Sequence, residues 1–459
     1  MKKRSFRQTL SLYPARVVML TFFSVILIGS ILLTLPISNN LEPLPYIDNL
    51  FTATSSTCVT GLVTTVVADQ YSLFGHIVIL SMIQIGGLGL MTIIAFMLIL
   101  IGKKLYTGDK KLMLEALNQN NFRDLAHFIK RIITYTFVFE TIGAILLGTV
   151  FIPKFGMIKG IWFSVFHSIS AFCNAGIDIL GPTSLLEYQL NPLVNLTVMG
   201  LIVTGGIGFA VWLDFNTKIR QAIKLRSFHG FWHKLSIQSR IVIKVTTFLI
   251  VSGTLFILFV EYNNPQTIGL LSLPDKILVS SFQSVTLRTA GFSTINYGFL
   301  HDATKLVMCM LMFIGGSSGG TAGGIKTTTF FLICLFLYIT ITNKSTFSYS
   351  QRTISDNLFR KSFMIFTLSL LTVMTGVIIL SITQSFSLID LMFEAFSAMG
   401  TVGLSANVTP LLTSLGKIII MLLMFMGRIG SVTMIISFIK SNKFGKKEVN
   451  YPHADIIVG

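Results

Sequence analysis

Of 459 residues only 12% are charged and 52% are hydrophobic, and the mean hydropathy is +0.77, which excludes the three or so soluble domains that length alone suggests. The net charge of +17 would fit a nucleic-acid binder, but its placement excludes one. The segments read as cytoplasmic (1–16, 102–131, 214–244, 340–361 and 440–459) hold 27 of the 35 Lys and Arg, and 38–72 holds none, so both termini are expected in the cytoplasm of a multi-pass protein.

The first apolar run, Val17 to Pro36, follows Lys2, Lys3, Arg4 and Arg7 like a signal peptide. It is long enough to span a bilayer and lacks a small-residue cleavage site, so it is read as a retained helix. Pro43 and Pro45 follow, and Asp48 opens a short helix that leads to Thr57-Cys-Val-Thr-Gly61. The same phrase returns as Phe172-Cys-Asn-Ala-Gly176, Leu287-Arg-Thr-Ala-Gly291 and Met399-Gly-Thr-Val-Gly403, with closing glycines 115, 115 and 112 residues apart. Such segments make poor helices and poor strands, and bare backbone at membrane depth is tolerated only where protein buries it or water lines it. Four glycine-ended loops on one axis would form a ring of carbonyls able to replace a cation's water shell.

Each repeat therefore reads as outer helix, short descending helix, glycine loop and inner helix. Together they predict an all-α polytopic membrane protein with eight spanning helices and four pore half-helices in pseudo-fourfold array. The repeats are 1–102, 103–215, 216–342 and 343–440, with a cytoplasmic tail at 441–459. Asp48 and Asp390 each lie 13 residues before their glycine, where an acid complements the helix N-terminus and leaves the negative end aimed at the loop. Phe and Ser recur ten and six residues before the glycine (Phe51/Ser55, Phe166/Ser170, Phe393/Ser397), but repeat three has Ser281 and Val285 there.

The inner helices carry a second mark: Gly86-Gly-Leu-Gly89, Gly205-Gly-Ile-Gly208, Gly315-Gly316 and Gly427-Arg-Ile-Gly430. Small residues there allow close helix approach or leave room for a pathway. In repeat three the run from Gly315 to Lys326 cannot stay helical and should split the helix halfway across. In repeat four Arg428 replaces a glycine, and its cost at mid-membrane, about 2.5–3.5 kcal/mol, requires a wet cavity or a partner. The two features share one repeat position and should meet near the axis below the ring. Glu140 is the other intramembrane charge, and the sequence does not name its partner. Cys58, Cys173, Cys309 and Cys334 match no zinc spacing.

These residues resemble the Trk/Ktr/HKT superfamily of potassium transporters, most closely the membrane subunit of bacterial Ktr systems. The resemblance rests on Leu35-Pro-Ile-Ser38, Thr60-Gly-Leu62, Gln84-Ile-Gly-Gly-Leu-Gly89, Glu115-Ala-Leu-Asn118, Arg288-Thr-Ala-Gly-Phe292, Gly400-Thr-Val-Gly-Leu404 and Gly427-Arg-Ile-Gly430. It implies potassium uptake down the membrane potential through a channel-like pore in a bacterial plasma membrane. The filter would be the backbone of Val59, Thr60 and Gly61, of Asn174, Ala175 and Gly176, of Thr289, Ala290 and Gly291, and of Thr401, Val402 and Gly403. It also implies a gate made of Gly315, Gly316, Ser317, Ser318, Gly319, Gly320, Thr321, Ala322, Gly323, Gly324, Ile325 and Lys326, with Arg428 beside it. Further implications are a homodimer in membrane lipid, a cytosolic ring of nucleotide-binding regulatory subunits, sodium as activator, no covalent cofactor and no nucleic acid. Glycine at all four loop ends favours potassium. Arg288 is expected to point behind its loop toward an acid, and Cys58 and Cys173 raise the expectation of external thiol sensitivity.

Two alternatives stand beside this reading. One is a sodium-admitting or poorly selective transporter of the same superfamily. The other is an intramembrane serine protease, because Gly315-Gly-Ser-Ser-Gly319 fits G-x-S-x-G. No histidine falls on an inner helix at the depth of Ser317 or Ser318, which leaves the serine without a base. A phosphate-binding loop fails on spacing, since Ile325 separates Gly324 from Lys326.

Overall fold

The computed structural model describes residues 14–89, 92–93, 125–227, 229–343, 348–430 and 433–434. The basic loop around Lys103 to Lys111, the Glu115–Asn118 motif and the C-terminal tail lie outside them. Repeat one is α1 (Pro14–Thr34), α2 (Tyr46–Cys58) and α3 (Leu73–Leu88). Repeat two is α4 (Leu125–Phe155), α5 (Met157–Cys173) and α6 (Pro192–Ile207), followed by α7 (Phe209–Lys224). Repeat three is α8 (Ile237–Val260), α9 (Leu273–Thr286), α10 (Asp302–Phe313) and α11 (Thr327–Ile341). Repeat four is α12 (Asp356–Thr383), α13 (Leu388–Gly400) and α14 (Ser414–Ile429).

Length and apolarity sort these helices by task. The outer helices α1, α4, α8 and α12 are each long and apolar enough to cross a membrane. They expose large side chains such as Phe23, Ile145, Phe248 and Ile378, as a surface facing lipid should. The descending helices are the reverse. From Phe51 to Cys58 in α2, and from Phe393 to Gly400 in α13, every residue is buried. At 13 residues each, these two span about 20 Å, too short to cross a hydrocarbon core of about 30 Å.

The ring closes by alternation. α2 packs between α3 of its own repeat and α14 of repeat four, α5 between α6 and α3, and α13 between α14 and α10, while α9 lies against α6. The second glycine mark makes this approach possible. A Cβ on Gly86, Gly205 or Gly427 would strike the carbonyl of Thr57, Phe172 or Met399, each four residues before its own loop glycine. The first glycine of the mark is therefore a backbone-to-backbone contact in repeats one, two and four.

The inner helices differ from the expectation in one respect. The sequence predicts a split in the third alone, but all four stop at the second mark. α3, α6 and α14 end on Gly89, Gly208 and Gly430, with φ of +80°, +98° and +94° and ψ near 130°, a conformation that glycine reaches without strain. After Gly208 the chain turns by 97° into α7. The expected repeat boundary at 215/216 consequently falls inside α7, which runs on to Lys224.

Two ion pairs fasten the outer ends. Lys417 of α14 pairs with Asp48 of α2, joining repeats four and one, and Lys305 of α10 pairs with Asp390 of α13 at 2.7 Å, joining three and four. Both acids sit in the first turn of a descending helix, where the sequence places them for the dipole. Removing one partner strands a buried charge. Lys417→Met should lower stability by about 3–5 kcal/mol, read as a fall in detergent-solubilised melting temperature, with Asp48→Asn in the same chain recovering most of it. An unchanged melting temperature in Lys417→Met would show that this pair does not hold the ring closed.

Candidate selectivity ring and gate

All four loops turn the same way. The residue two before each glycine is left-handed: Val59 (φ +56°), Asn174 (+62°), Thr289 (+67°) and Thr401 (+52°). Each closing glycine also has positive φ. Three of the four left-handed residues are β-branched, so each such turn costs of order 1–3 kcal/mol and persists because its surroundings dictate it. Those surroundings are the helix ends. Thr60 N donates to Ser55 O at 2.8 Å, Ala175 N to Ser170 O at 2.7 Å, and Val402 N to Ser397 O at 2.8 Å. The recurring serines close the turn further: Gly61 N donates to Ser55 Oγ at 3.0 Å, Gly403 N to Ser397 Oγ at 3.1 Å, and Ser170 Oγ to Ile177 O at 2.7 Å.

Repeat three is a one-residue slip. Ala290 N donates to Thr286 O, one residue nearer than in the other repeats, and Thr286 Oγ1 donates to Phe292 O at 2.7 Å, in the serine's role. Phe282, fully buried, stands one place after Ser281 where the other repeats have their phenylalanine. A search at fixed spacing from the glycine meets Ser281 and Val285 instead. A search allowing one gap would find the pattern.

The four loops meet as a closed cycle. A Cβ on Gly61 would lie 2.6 Å from Ala175 O of repeat two, and one on Gly291 would lie 2.6 Å from Val402 O of repeat four. In the same sense Gly176 abuts Ala290 O and Gly403 abuts Thr60 O. Each glycine thus faces the carbonyl that precedes the next repeat's glycine. The carbonyls of Thr60, Ala175, Ala290 and Val402 and the four glycines form one interlocked ring.

The broken third helix lies beneath it. Gly315 N donates to Ile325 O at 2.8 Å and Thr327 N to Gly316 O at 3.1 Å, which ties the two feet of the loop together. Its middle caps the break in α6: Ser317 N donates to Gly206 O at 2.9 Å, Thr321 N to Gly205 O at 3.2 Å, and Phe209 N to Gly319 O at 3.0 Å. Thr321 Oγ1 reaches the ring's base, 3.0 Å from Phe172 O and 3.4 Å from Asn174 Oδ1. Gly323 and Gly324 lie against Thr401 and Gly400 of repeat four. Lys326 Nζ donates back to Ala322 O at 2.7 Å, holding the second limb.

Arg428 meets this loop. Its guanidinium donates to Thr321 O and, from its other arm, to Gly86 O and to Gly87 O at 3.2 Å. These last two are carbonyls at the broken end of α3. The partner that an intramembrane arginine requires is therefore main-chain oxygen, from repeats one and three at once.

Other expectations fare differently. Arg288 is buried but points to no acid; it donates to Leu311 O on α10, and no ion pair of Arg288 exists among the described residues. The main chain does the bracing. Glu140 gains a named partner, since Gln84 Nε2 of α3 donates to its Oε1 at 3.0 Å, while Cys173 Sγ lies 3.4 Å from Gln84 Oε1. Cys58 and Cys173 are at 0% exposure, against the expectation that external reagents reach them. Ser318 Oγ lies 3.4 Å from Thr328 Oγ1, and His76 and His167 bond Val67 O and Phe163 O.

Residues 13–447 match the family described as TrkH, cation transport protein. The chain belongs to this family. It is 38% identical to the Ktr system potassium uptake protein B of Bacillus subtilis over 97% of each chain. It is 37% identical to the potassium/sodium uptake protein NtpJ of Enterococcus hirae over 100% of this chain and 99% of that one. The crystal structure of the potassium transporter TrkH from Vibrio parahaemolyticus shares the fold at a TM-score of 0.71, with 17% identity over 95% of this chain and 86% of that one. With four outer helices able to cross a bilayer, this TrkH-family chain is a multi-pass membrane protein. Its burial of Cys58 and Cys173 predicts that a membrane-impermeant thiol reagent leaves cation flux unchanged. A loss of flux that Cys58→Ala or Cys173→Ala abolishes would put a thiol on the path.

Proposed function

We propose that this chain is the pore-forming membrane subunit of a potassium uptake system. Potassium passes the ring of Thr60, Ala175, Ala290 and Val402 carbonyls, and the backbone of Val59, Asn174, Thr289, Thr401 and the four glycines completes the filter. The observation that carries the reading is the cycle in which each loop glycine faces the next repeat's carbonyl, because it offers one cation equivalent oxygens from four sides. The membrane potential supplies the driving force: about 2.3 kcal/mol per unit charge per 100 mV, enough to concentrate a cation roughly fiftyfold. The names of the relatives agree on potassium, and the Enterococcus protein's name adds sodium, which keeps a less selective pore as the second reading. A relative that belongs to a named system supports at least one partner for this chain. We assign that role to a cytosolic nucleotide-binding ring beneath a homodimer in the bacterial plasma membrane, with both termini cytoplasmic and sodium as a candidate activator.

The gate in this proposal is the segment from Gly315 to Lys326 with Arg428. The loop obstructs the path below the ring, and the guanidinium adds a charge barrier and a fork that grips carbonyls.

Two predictions separate filter from gate. Gly403→Ser sets a side chain against Thr60 O and should reduce the preference for potassium over sodium, measured as sodium competition against rubidium uptake in a potassium-uptake-deficient host. Equal ratios in Gly403→Ser and Gly61→Ser would end the filter assignment. Shortening the loop within Gly319–Gly324 should raise flux strongly, and Arg428→Ala should raise it less, because the loop keeps its bonds to Gly205 and Gly206. A shortened loop whose flux in liposomes stays at or below the unmodified protein's would show that this segment is not the gate.

A further inference from the structure

Behind the ring, three descending helices reach across to the limb of chain that climbs away from it. Ile179 N donates to His167 Nε2 at 3.4 Å, Gln283 Nε2 donates to Thr294 Oγ1 at 2.7 Å, and Ala406 N donates to Glu394 Oε1 at 3.1 Å. The limb residue is in each case three places beyond the loop glycine. His167 and Glu394 stand nine residues before their glycines and Gln283 eight, so the slip in repeat three is absorbed and the contact is kept. All three side chains are buried, at 1%, 0% and 0% exposure. Glu394 holds most: Ser405 Oγ also donates to its Oε1, and Thr409 Oγ1 donates to its Oε2 at 2.7 Å. In repeat one the position is Thr52, whose side chain is shorter, and Thr64 Oγ1, three places past Gly61, is buried with no hydrogen-bond partner among the described residues.

We infer that His167, Gln283 and Glu394 are positioning residues for ion selection, setting the ring's width by tying its ascending limbs to the descending helices. The inference rests on the filter reading above. The loops of repeats two, three and four are each held on the near side by the helix end and on the far side by this side chain. Without the far tie, the strained left-handed turn can relax and carry its carbonyl outward or inward. A ring that distinguishes two cations by how closely its oxygens replace water depends on that spacing. Glu394, with three donors on one carboxylate, should matter most, and repeat one should tolerate change at Thr52 best.

The test is the competition of sodium against rubidium uptake, on variants shown to reach the membrane in normal amount. Glu394→Leu removes all three acceptor contacts and should lower the preference for rubidium about tenfold, the scale of one buried hydrogen-bond loss. Glu394→Gln keeps an oxygen for Ala406 N and Ser405 Oγ and should restore most of the preference, a rescue that mere packing would not give. If Glu394→Leu does not reach the membrane, Gln283→Leu decides in its place, with a smaller shift in the same direction. Gly403→Ser serves as the control on the ring. A normal ratio in Glu394→Leu beside a lowered ratio in Gly403→Ser overturns the brace and leaves the filter standing, as does a lowered ratio that Glu394→Gln fails to restore. Normal ratios in both variants overturn the filter and the brace together.

Discussion

An unpaired backbone carbonyl in the middle of a membrane is what the rest of this molecule is arranged to avoid. Four inner helices stop at the second glycine mark, and each stop leaves carbonyls without an intrahelical donor. At α6 the donors come from the loop, through Ser317 N and Thr321 N. At α3 they come from the guanidinium of Arg428. The same contacts that satisfy the broken helices therefore fasten the loop beneath the ring. A buried acceptor left unmade costs about 1–3 kcal/mol, whereas water satisfies it at little net cost. Displacing the loop without water to replace it would leave the carbonyls of Gly205 and Gly206 unpaired.

The ring depends on a second interlock. Because each glycine abuts the neighbouring repeat's carbonyl, no loop can widen without its neighbours responding. The descending helices cannot retreat either, since Gly86, Gly205 and Gly427 bring the inner helices against the carbonyls that precede the loops. The Lys417–Asp48 and Lys305–Asp390 pairs fasten the outer ends of the seams on both sides of repeat four. Local strain at Val59, Thr289 and Thr401 is held in place by this mutual confinement and not by any single bond.

How much of this was legible beforehand follows from the range of each interaction. The loops and the repeat period could be read because they recur at near-constant spacing, and the meeting of Arg428 with the glycine-rich segment because the two share one repeat position. The breaks in α3, α6 and α14 could not, because a glycine cluster in a membrane helix reads equally well as a packing site. Here Gly86, Gly205 and Gly427 do pack, and only the last glycine of each mark takes the positive φ that ends the helix. The partner of Asp48 is Lys417, 369 residues away, and no local pattern links them. The acceptor for Arg288 is the main chain of Leu311, and residue type carries no trace of such a contact.

Fourfold symmetry is kept in the ring and abandoned beneath it. The left-handed turns and the loop-glycine contacts recur in every repeat, including the third, where the spacing is one residue shorter and Thr286 and Phe282 take the serine's and phenylalanine's places. Below the ring, each repeat contributes differently: three supplies the loop, four supplies Arg428, and one and two supply carbonyls. A single loop bound only to its own repeat could swing aside without consequence. This one is held by repeat two through Gly205 and Gly206, and by repeat four through Arg428, which is itself anchored on repeat one. Thr321 stands at the junction, with its carbonyl on Arg428 and its hydroxyl 3.0 Å from Phe172 O at the base of the second loop. A force that displaces the loop must therefore release contacts with three other repeats together, so its seat is cooperative and does not rest on any one bond.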